Sequence, residues 1–189
     1  MDTLWIIVAV IAILAIWAIL IYNSLVTLKH NVARSWANID VLLKQRHDEL
    51  PKPVEACRQY AAFEQGTLER VTAARARVHS AREASDIAAL GAAETELRAG
   101  LGRLLAVAES YPELRANESF MQLIERVTAL ENAIADRREL YNDAVNINNV
   151  RIEQFPDVIV ARLLGFGEQT LLRFSEAEKR DVDMKALFA

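Results

Sequence analysis

The chain is poor in the residues that turn or cross-link a protein. Among 189 residues there are 6 Gly, 4 Pro and 1 Cys. The single thiol, Cys57, excludes an intramolecular disulfide framework. So few Gly and Pro leave few places for turns, which excludes a fold of many short strands and favours a few long helices. Basic excess is also missing: the net charge of -4 argues against a nucleic-acid surface. Catalytic signatures are absent too, with no P-loop, no GxGxxG, no GxSxG and no zinc-ligand spacing. Three residues before His30, His47 and His79 stand Thr27, Lys44 and Ala76, so the Glu-x-x-His pattern of a di-iron bundle is excluded. His47 to Leu50 spells HDEL, a retrieval signal only at a C-terminus. Cys57 lies on an apolar stripe, as a structural thiol does. No catalytic residue, metal or cofactor is expected, and the chain reads as a non-enzyme.

Two further absences define the first fifty residues. Thr3 to Leu28 carries no charge, and neither Gly nor Pro occurs before Pro51. Every residue from Leu4 to Tyr22 is apolar or aromatic, 19 residues or roughly 28 Å of helix, close to a hydrocarbon core of about 30 Å. Trp5 and Tyr22 suit the two interfaces. A cleaved signal peptide would need a basic start and a small-residue cleavage site, and neither is present. The expectation is a retained single span at 4–22, running on as one helix from Leu4 to Leu50. Lys29, His30 and Arg34 follow the span, so the positive-inside bias puts the C-terminal domain in the cytoplasm and residues 1–3 outside.

Beyond the span, Leu25, Leu28, Val32, Trp36, Ile39, Leu43, Arg46 and Leu50 fall at spacings of three and four, one stripe facing partner helices. Pro51 and Pro53 break it, and a second helix is expected from about Pro53 to Ser80. Arg82 to Asp86 reads as a turn with Ser85 as N-cap. A third helix runs from Ile87 to Tyr111 and stops at Pro112. Asn117 caps a fourth, whose stripe is Phe120, Leu123, Val127, Leu130, Ile134, Arg137, Tyr141, Val145, Asn148, Ile152 and Phe155. Trp36 and Tyr141 read as partly exposed anchors for a partner helix. The predicted fold is all-α: an N-terminal transmembrane helix continuous with a long antiparallel up-down bundle over residues 23–166. Counting helices out and back returns the end of the fourth to the headgroup level.

What arrives there is a short apolar segment: Phe155, Pro156, Val158, Ile159, Val160, Leu163, Leu164 and Phe166, with Asp157 and Arg162 as its only charges. At twelve residues it is too short to span. It can cap the bundle's own core, dock on a neighbouring copy or lie in the membrane interface. Gly165 and Gly167 flank Phe166 as a hinge, and 167–189 reads as a mobile tail. Four polar residues, Arg46, Glu94, Arg137 and Asn148, occupy seam positions where apolar residues are expected. A hairpin of the third and fourth helices brings Glu94 within a turn of Arg137, and this pair is the expected register device. The alternative is that these side chains snorkel at the bundle edge.

Several runs carry a family resemblance. Tyr22-Asn23-Ser24-Leu25-Val26, Ala37-Asn38-Ile39-Asp40-Val41-Leu42-Leu43-Lys44-Gln45-Arg46, Leu50-Pro51, Arg103 through Pro112, Arg138-Glu139-Leu140-Tyr141-Asn142, and Phe155-Pro156 through Gly165-Phe166 resemble the LemA family. The likeness covers about residues 20 to 166 in order. Lys52-Pro53 departs from the family's more usual Asn-Leu. The resemblance implies a bacterial inner (plasma) membrane protein with one N-terminal span and a helical cytoplasmic domain. It supplies no reaction. A related magnetosome protein implies, by analogy, a role in organising membrane.

The function expected is that of a membrane-anchored, non-enzymatic scaffold that self-assembles and organises membrane or partner proteins. Its partners would be lipid, through the one span, and further copies of itself. The alternative is an adaptor binding one heterologous membrane protein or protease.

Overall fold

The computed structural model describes residues 2–60 and 65–173. Among these residues there is no strand. The elements are α1 (Asp2–Glu49), α2 (Pro51–Tyr60), α3 (Gln65–Glu83), α4 (Ile87–Ser110), α5 (Pro112–Arg115), α6 (Glu118–Glu153) and α7 (Asp157–Leu164). The all-α expectation holds. The described residues divide into two compact units, 2–38 with 139–171, and 39–138 with 172–173.

In the first unit α1 begins as an apolar rod. Its side chains from Leu4 to Trp17, and again at Ile19 and Leu20, are exposed. Water would make such a surface costly. Among the described residues α1 is the one helix long and apolar enough to cross a membrane. Burial starts where the apolar run ends, at Ile21 and Leu25. There α1 meets the second half of α6 and the short α7 in a core of Ile21, Leu25, Ile152, Val160 and Ala161, with Phe166 against it. Further along, Trp36 stacks obliquely on Tyr141, ring centroids 5.7 Å apart. The two aromatics thus anchor each other rather than a separate partner helix, and Tyr141 is buried.

The second unit holds the main bundle core. Ile39, Leu43 and Leu50 of the first stripe are buried, as are Leu68, Val71, Val78, Leu90, Leu97, Leu104, Phe120 and Ile134. Polar contacts between α1 and α3 run antiparallel: Arg82 Nε reaches Asp40 at 2.5 Å, while Arg75 Nε, about two turns earlier in α3, donates 3.0 Å to the His47 carbonyl. That second bond has a local cause. Pro51 has no N–H to give the carbonyl four residues back, and Arg75 supplies the missing donor. Helical hydrogen bonding continues through the prolines, with Leu50 N–H on the Arg46 carbonyl at 3.0 Å and Val54 N–H on the Leu50 carbonyl at 3.4 Å. The new helix therefore starts at Pro51 and not at Pro53. It ends at Tyr60, and 61–64 lie outside the described residues.

The next turn also differs from expectation. Ser85 does not cap α4; it takes the left-handed φ of 55° that ends α3. Asp86 N–H returns to the Ala81 carbonyl at 3.0 Å, closing a C-terminal motif, and Asp86 Oδ1 accepts from Ala89 N–H at 2.9 Å as the N-cap of α4. Asn117 caps α6 as its sequence predicts, accepting from Phe120 N–H at 3.1 Å. Gly165 ends α7 at φ 72°, a conformation that costs glycine nothing, and lets Phe166 N–H reach the Ala161 carbonyl at 2.9 Å.

Candidate functional site

Two places gather the polar and exposed apolar groups that the sequence singles out. The first is the end of the first unit where α1 leaves its apolar run. Asp157, the first residue of α7, is buried and ion-paired to Arg151 at 2.8 Å, an anion at a helix N-terminus. That pair and the docking of Val160 and Ala161 on Ile21 and Leu25 fix α7 beside the end of α1's apolar run. The opposite face points away from protein. Phe155 and Leu163 are each 81% exposed, and Ile159 and Leu164 are more than half exposed. Pro156, Val158 and Phe166 lie between the two faces, half-buried. The apolar segment thus caps its own unit's core with one face and leaves the other bare.

After α7 the chain does not leave the fold at once. Asn149 clasps it: Nδ2 donates 2.9 Å to the Gln169 carbonyl, and Oδ1 accepts 2.8 Å from Gln169 N–H. Tyr141 donates from its hydroxyl to the Thr170 carbonyl at 2.8 Å, and burial pushes that phenol's pKa up. In the second unit Leu172 is buried, and the Arg173 carbonyl lies over Gly91. A Cβ on Gly91 would stand 2.1 Å from that oxygen, so only glycine admits the strap. Residues 167–173 are a bound strap, not the free tail expected; 174–189 lie outside the described residues.

Between strap and α1 lies a pocket of about 400 Å³ whose lining includes Tyr22, Lys29, His30, Asn148, Phe166 and Gln169. The Tyr22 ring meets Phe166 edge-on at 5.9 Å. The sequence names Asn148 only as a polar seam residue, and it is indeed buried. Its neighbours in the pocket come from two other stretches of chain, Tyr22, Lys29 and His30 on α1 and Phe166 and Gln169 after α7, so no local pattern announces them.

The second place is the charged centre of the second unit. Arg46, 1% exposed, binds Glu94 through Nη2 and Glu131 through Nη1, the latter at 2.6 Å. Arg98 holds the other Glu131 oxygen at 3.0 Å. Burial lifts the Glu94 carboxyl above its usual range, against the pull of Arg46. Burial also works against the Arg46 charge, but the two carboxylates outweigh it and keep the guanidinium ionised. The expected Glu94–Arg137 pair is not formed: Glu94 faces α1 instead, and Arg137 is exposed. The reason is geometric. From Ile134 a 3.6-residue turn falls between 137 and 138, and the half-buried position is Arg138. Nearby, His47 stacks on His79 at 4.5 Å, its pKa lowered by burial and by Arg75. An apolar cleft of about 220 Å³ beside Arg98 and Glu131 is lined by Leu101, Leu105 and Val127. No group of three or more His, Cys, Asp or Glu that could hold a metal occurs among the described residues. The salt-bridged centre ties α1, α4 and α6 of this unit together.

Bare apolar rod, helical bundle and docked α7 together define a membrane-associated helical protein. The LemA family model matches residues 35–185, and the chain belongs to the LemA family. Magnetosome protein MamQ 2 of Paramagnetospirillum magneticum (strain AMB-1) is 24% identical over 185 residues, covering 85% of this chain and 68% of that protein. Magnetosome protein MamQ of Magnetospirillum gryphiswaldense is 23% identical, over 77% of this chain and 62% of its own length. Protein LemA of Metamycoplasma hominis is 25% identical, over 87% of this chain and 74% of its own. None of these names is that of an enzyme.

Proposed function

We propose that this protein is a membrane-anchored, non-enzymatic scaffold that self-assembles and organises the membrane it sits in. In this reading α1 crosses the bilayer once, and Lys29, His30 and Arg34 keep the helical units on the cytoplasmic side. The observation that carries the reading is α7, pinned on Ile21 and Leu25 with a bare apolar face. At that level the face lies in the bilayer interface. Covering Phe155, Ile159, Leu163 and Leu164 with hydrocarbon is worth up to about 4–8 kcal/mol on the usual side-chain scale. One rigid corner would then hold lipid at two places, the span and α7.

Height above the bilayer separates lipid contact from contact between copies. Leu140, Ile147 and Val150 form an exposed apolar stripe on α6, spaced seven and three as a helix-packing seam is. Tyr141, next to Leu140, packs on Trp36, which lies 14 residues past Tyr22, roughly 21 Å along α1. Headgroups extend only about 5–8 Å beyond the hydrocarbon. Lipid does not reach Leu140, and a second copy covers that upper end of the stripe. The likeness to magnetosome proteins supports a membrane-organising role.

The test of α7 is a fluorophore at Leu163→Cys, in a Cys57→Ser background, on the full chain in vesicles. A blue-shifted emission, quenched by lipids brominated high on their chains, is expected. Water-like emission in vesicles would sink the interfacial placement.

A further inference from the structure

The pocket beside the span carries a ligand inference. Tyr22, Lys29 and His30 lie on one side of α1, at spacings of seven and eight. Lys29 and His30 are the only titratable side chains in the lining apart from Tyr22, and no carboxylate is among them. Asn148 is 3% exposed, and its Nδ2 donates to Asn149 Oδ1 at 3.1 Å while carrying a second N–H. The remaining wall is Val26, Leu164 to Phe166 at the end of α7, and Gly167 and Gln169 of the strap, held in place by the Asn149 clasp. A volume of about 400 Å³ is that of a small-ligand site rather than a crevice between side chains. Positive charge, amide donors and no acid on the wall make an anion site.

Its position selects the anion. From Tyr22 to Lys29 the helix rises roughly 10 Å. That interval overlaps the headgroup layer, about 5–8 Å thick, which begins where the apolar run ends. We infer that the pocket takes the phosphate of an anionic phospholipid headgroup, with Lys29 as its cationic partner and His30 and Asn148 as hydrogen-bond donors. The acyl chains of that lipid lie against the apolar rod at Ile19 and Leu20 and against the bare face of α7. The inference rests on α1 crossing the bilayer, as proposed above. A free phosphate compound shares the chemistry but not the location.

Native mass spectrometry of the full chain released from mixed micelles of phosphatidylcholine and phosphatidylglycerol reads the site directly. Wild type is expected to retain one phosphatidylglycerol in preference to phosphatidylcholine. Lys29→Gln/His30→Gln should weaken that retention at least tenfold. Both side chains are exposed, so the fold and its melting temperature should not move. Arg34→Gln/Lys44→Gln, also exposed and on α1, removes the same number of residues outside the pocket and should retain the lipid. Equal loss in the two pairs, or equal retention of the two lipids by wild type, would overturn the site. Inorganic phosphate at millimolar concentration should not displace the lipid. Displacement would make this a soluble-anion site and overturn the lipid assignment. Vesicle flotation separates the two proposals: the Lys29/His30 variant still floats if only the pocket fails, whereas wild type that does not float refutes the span itself.

Discussion

Replacing Arg46 with methionine removes a buried cation that binds both Glu94 and Glu131. The methionine fills most of the volume, so the effect reports charge more than cavity. Glu94, as buried as Arg46 itself, is left without its partner, while Glu131 keeps Arg98. Breaking a buried pair from one side costs about 3–5 kcal/mol, because the remaining carboxylate is desolvated and uncompensated. For a chain of this length that corresponds to a fall of roughly 6–20 °C in melting temperature. The pH dependence has a definite sign. Burial already raises the Glu94 carboxyl, and loss of Arg46 raises it further. A carboxyl whose folded pKa is raised contributes stability below its unfolded value, about 4.3, and loses it as pH climbs through the folded value. The deficit of the variant should therefore shrink between pH 8 and pH 5. Arg46→Met/Glu94→Leu should recover most of the loss, since it deletes both charges together. Circular-dichroism melts of the full chain in detergent at the two pH values measure all three. A shift under about 3 °C for Arg46→Met, or a deficit that grows toward pH 5, would refute the buried-pair reasoning.

Three other perturbations probe separate parts of the fold. Gly91→Ala drives a Cβ into the Arg173 carbonyl and should cost about 1–3 kcal/mol, or release the strap instead. Unchanged stability together with unchanged tryptic cleavage after Arg173 would contradict that contact. Asn149→Ala removes both bonds to Gln169, roughly 0.5–1.5 kcal/mol each, and should speed amide exchange at Gln169 without lowering the global melt. Cys57, fully buried, has its thiol pushed up to about 11 by burial, from an ordinary 9.0. Its contribution to stability is complete below pH 9.0 and is lost as pH rises toward 11. A disulfide reagent at pH 8 should therefore react only after unfolding, and rapid native labelling would count against it.

The sequence reads well where one residue type settles a backbone question. A charge-free run without Gly or Pro admits nothing but α1, and its stripe at Leu25, Val32, Ile39, Leu43, Arg46 and Leu50 is buried in the order its spacing implies. Asn117 is legible because an Asx side chain before a helical run has one obvious use. Ambiguity enters where two neighbours can play the same part. Pro51 and Pro53 both tolerate a first turn, and Ser85 and Asp86 are both good caps. The structure decides through contacts distant in sequence, such as Arg75 on the His47 carbonyl.

Partnership is harder to read than burial. Glu94 and Arg46 are visible as polar residues on apolar seams, but the choice between Arg46 and Arg137 depends on how α4 turns toward α1. The strap of residues 167–173 has no periodicity to betray it. In the first unit Asn149 and Tyr141 hold residues 169 and 170, and in the second the missing Cβ of Gly91 admits Arg173; these residues look unremarkable alone. The pocket at Lys29 and His30 is hidden for the same reason, since its walls come from three separate stretches of chain. By contrast, the apolar segment from Phe155 to Phe166 stands out by composition, and helix lengths alone bring it near the end of α1's apolar run, where it packs on Ile21 and Leu25.

Self-assembly is the central claim, and the mass of the intact chain taken from membranes tests it most directly. Light scattering of full-length protein extracted in mild detergent, with the bound detergent subtracted, should give an integral multiple of 21.2 kDa greater than one. Leu140→Glu/Ile147→Glu should shift the mass toward a single copy. A single copy for wild type, in detergent and in bilayer discs alike, would contradict the scaffold. So would a single copy bound stoichiometrically to one foreign membrane protein, which is the adaptor's signature.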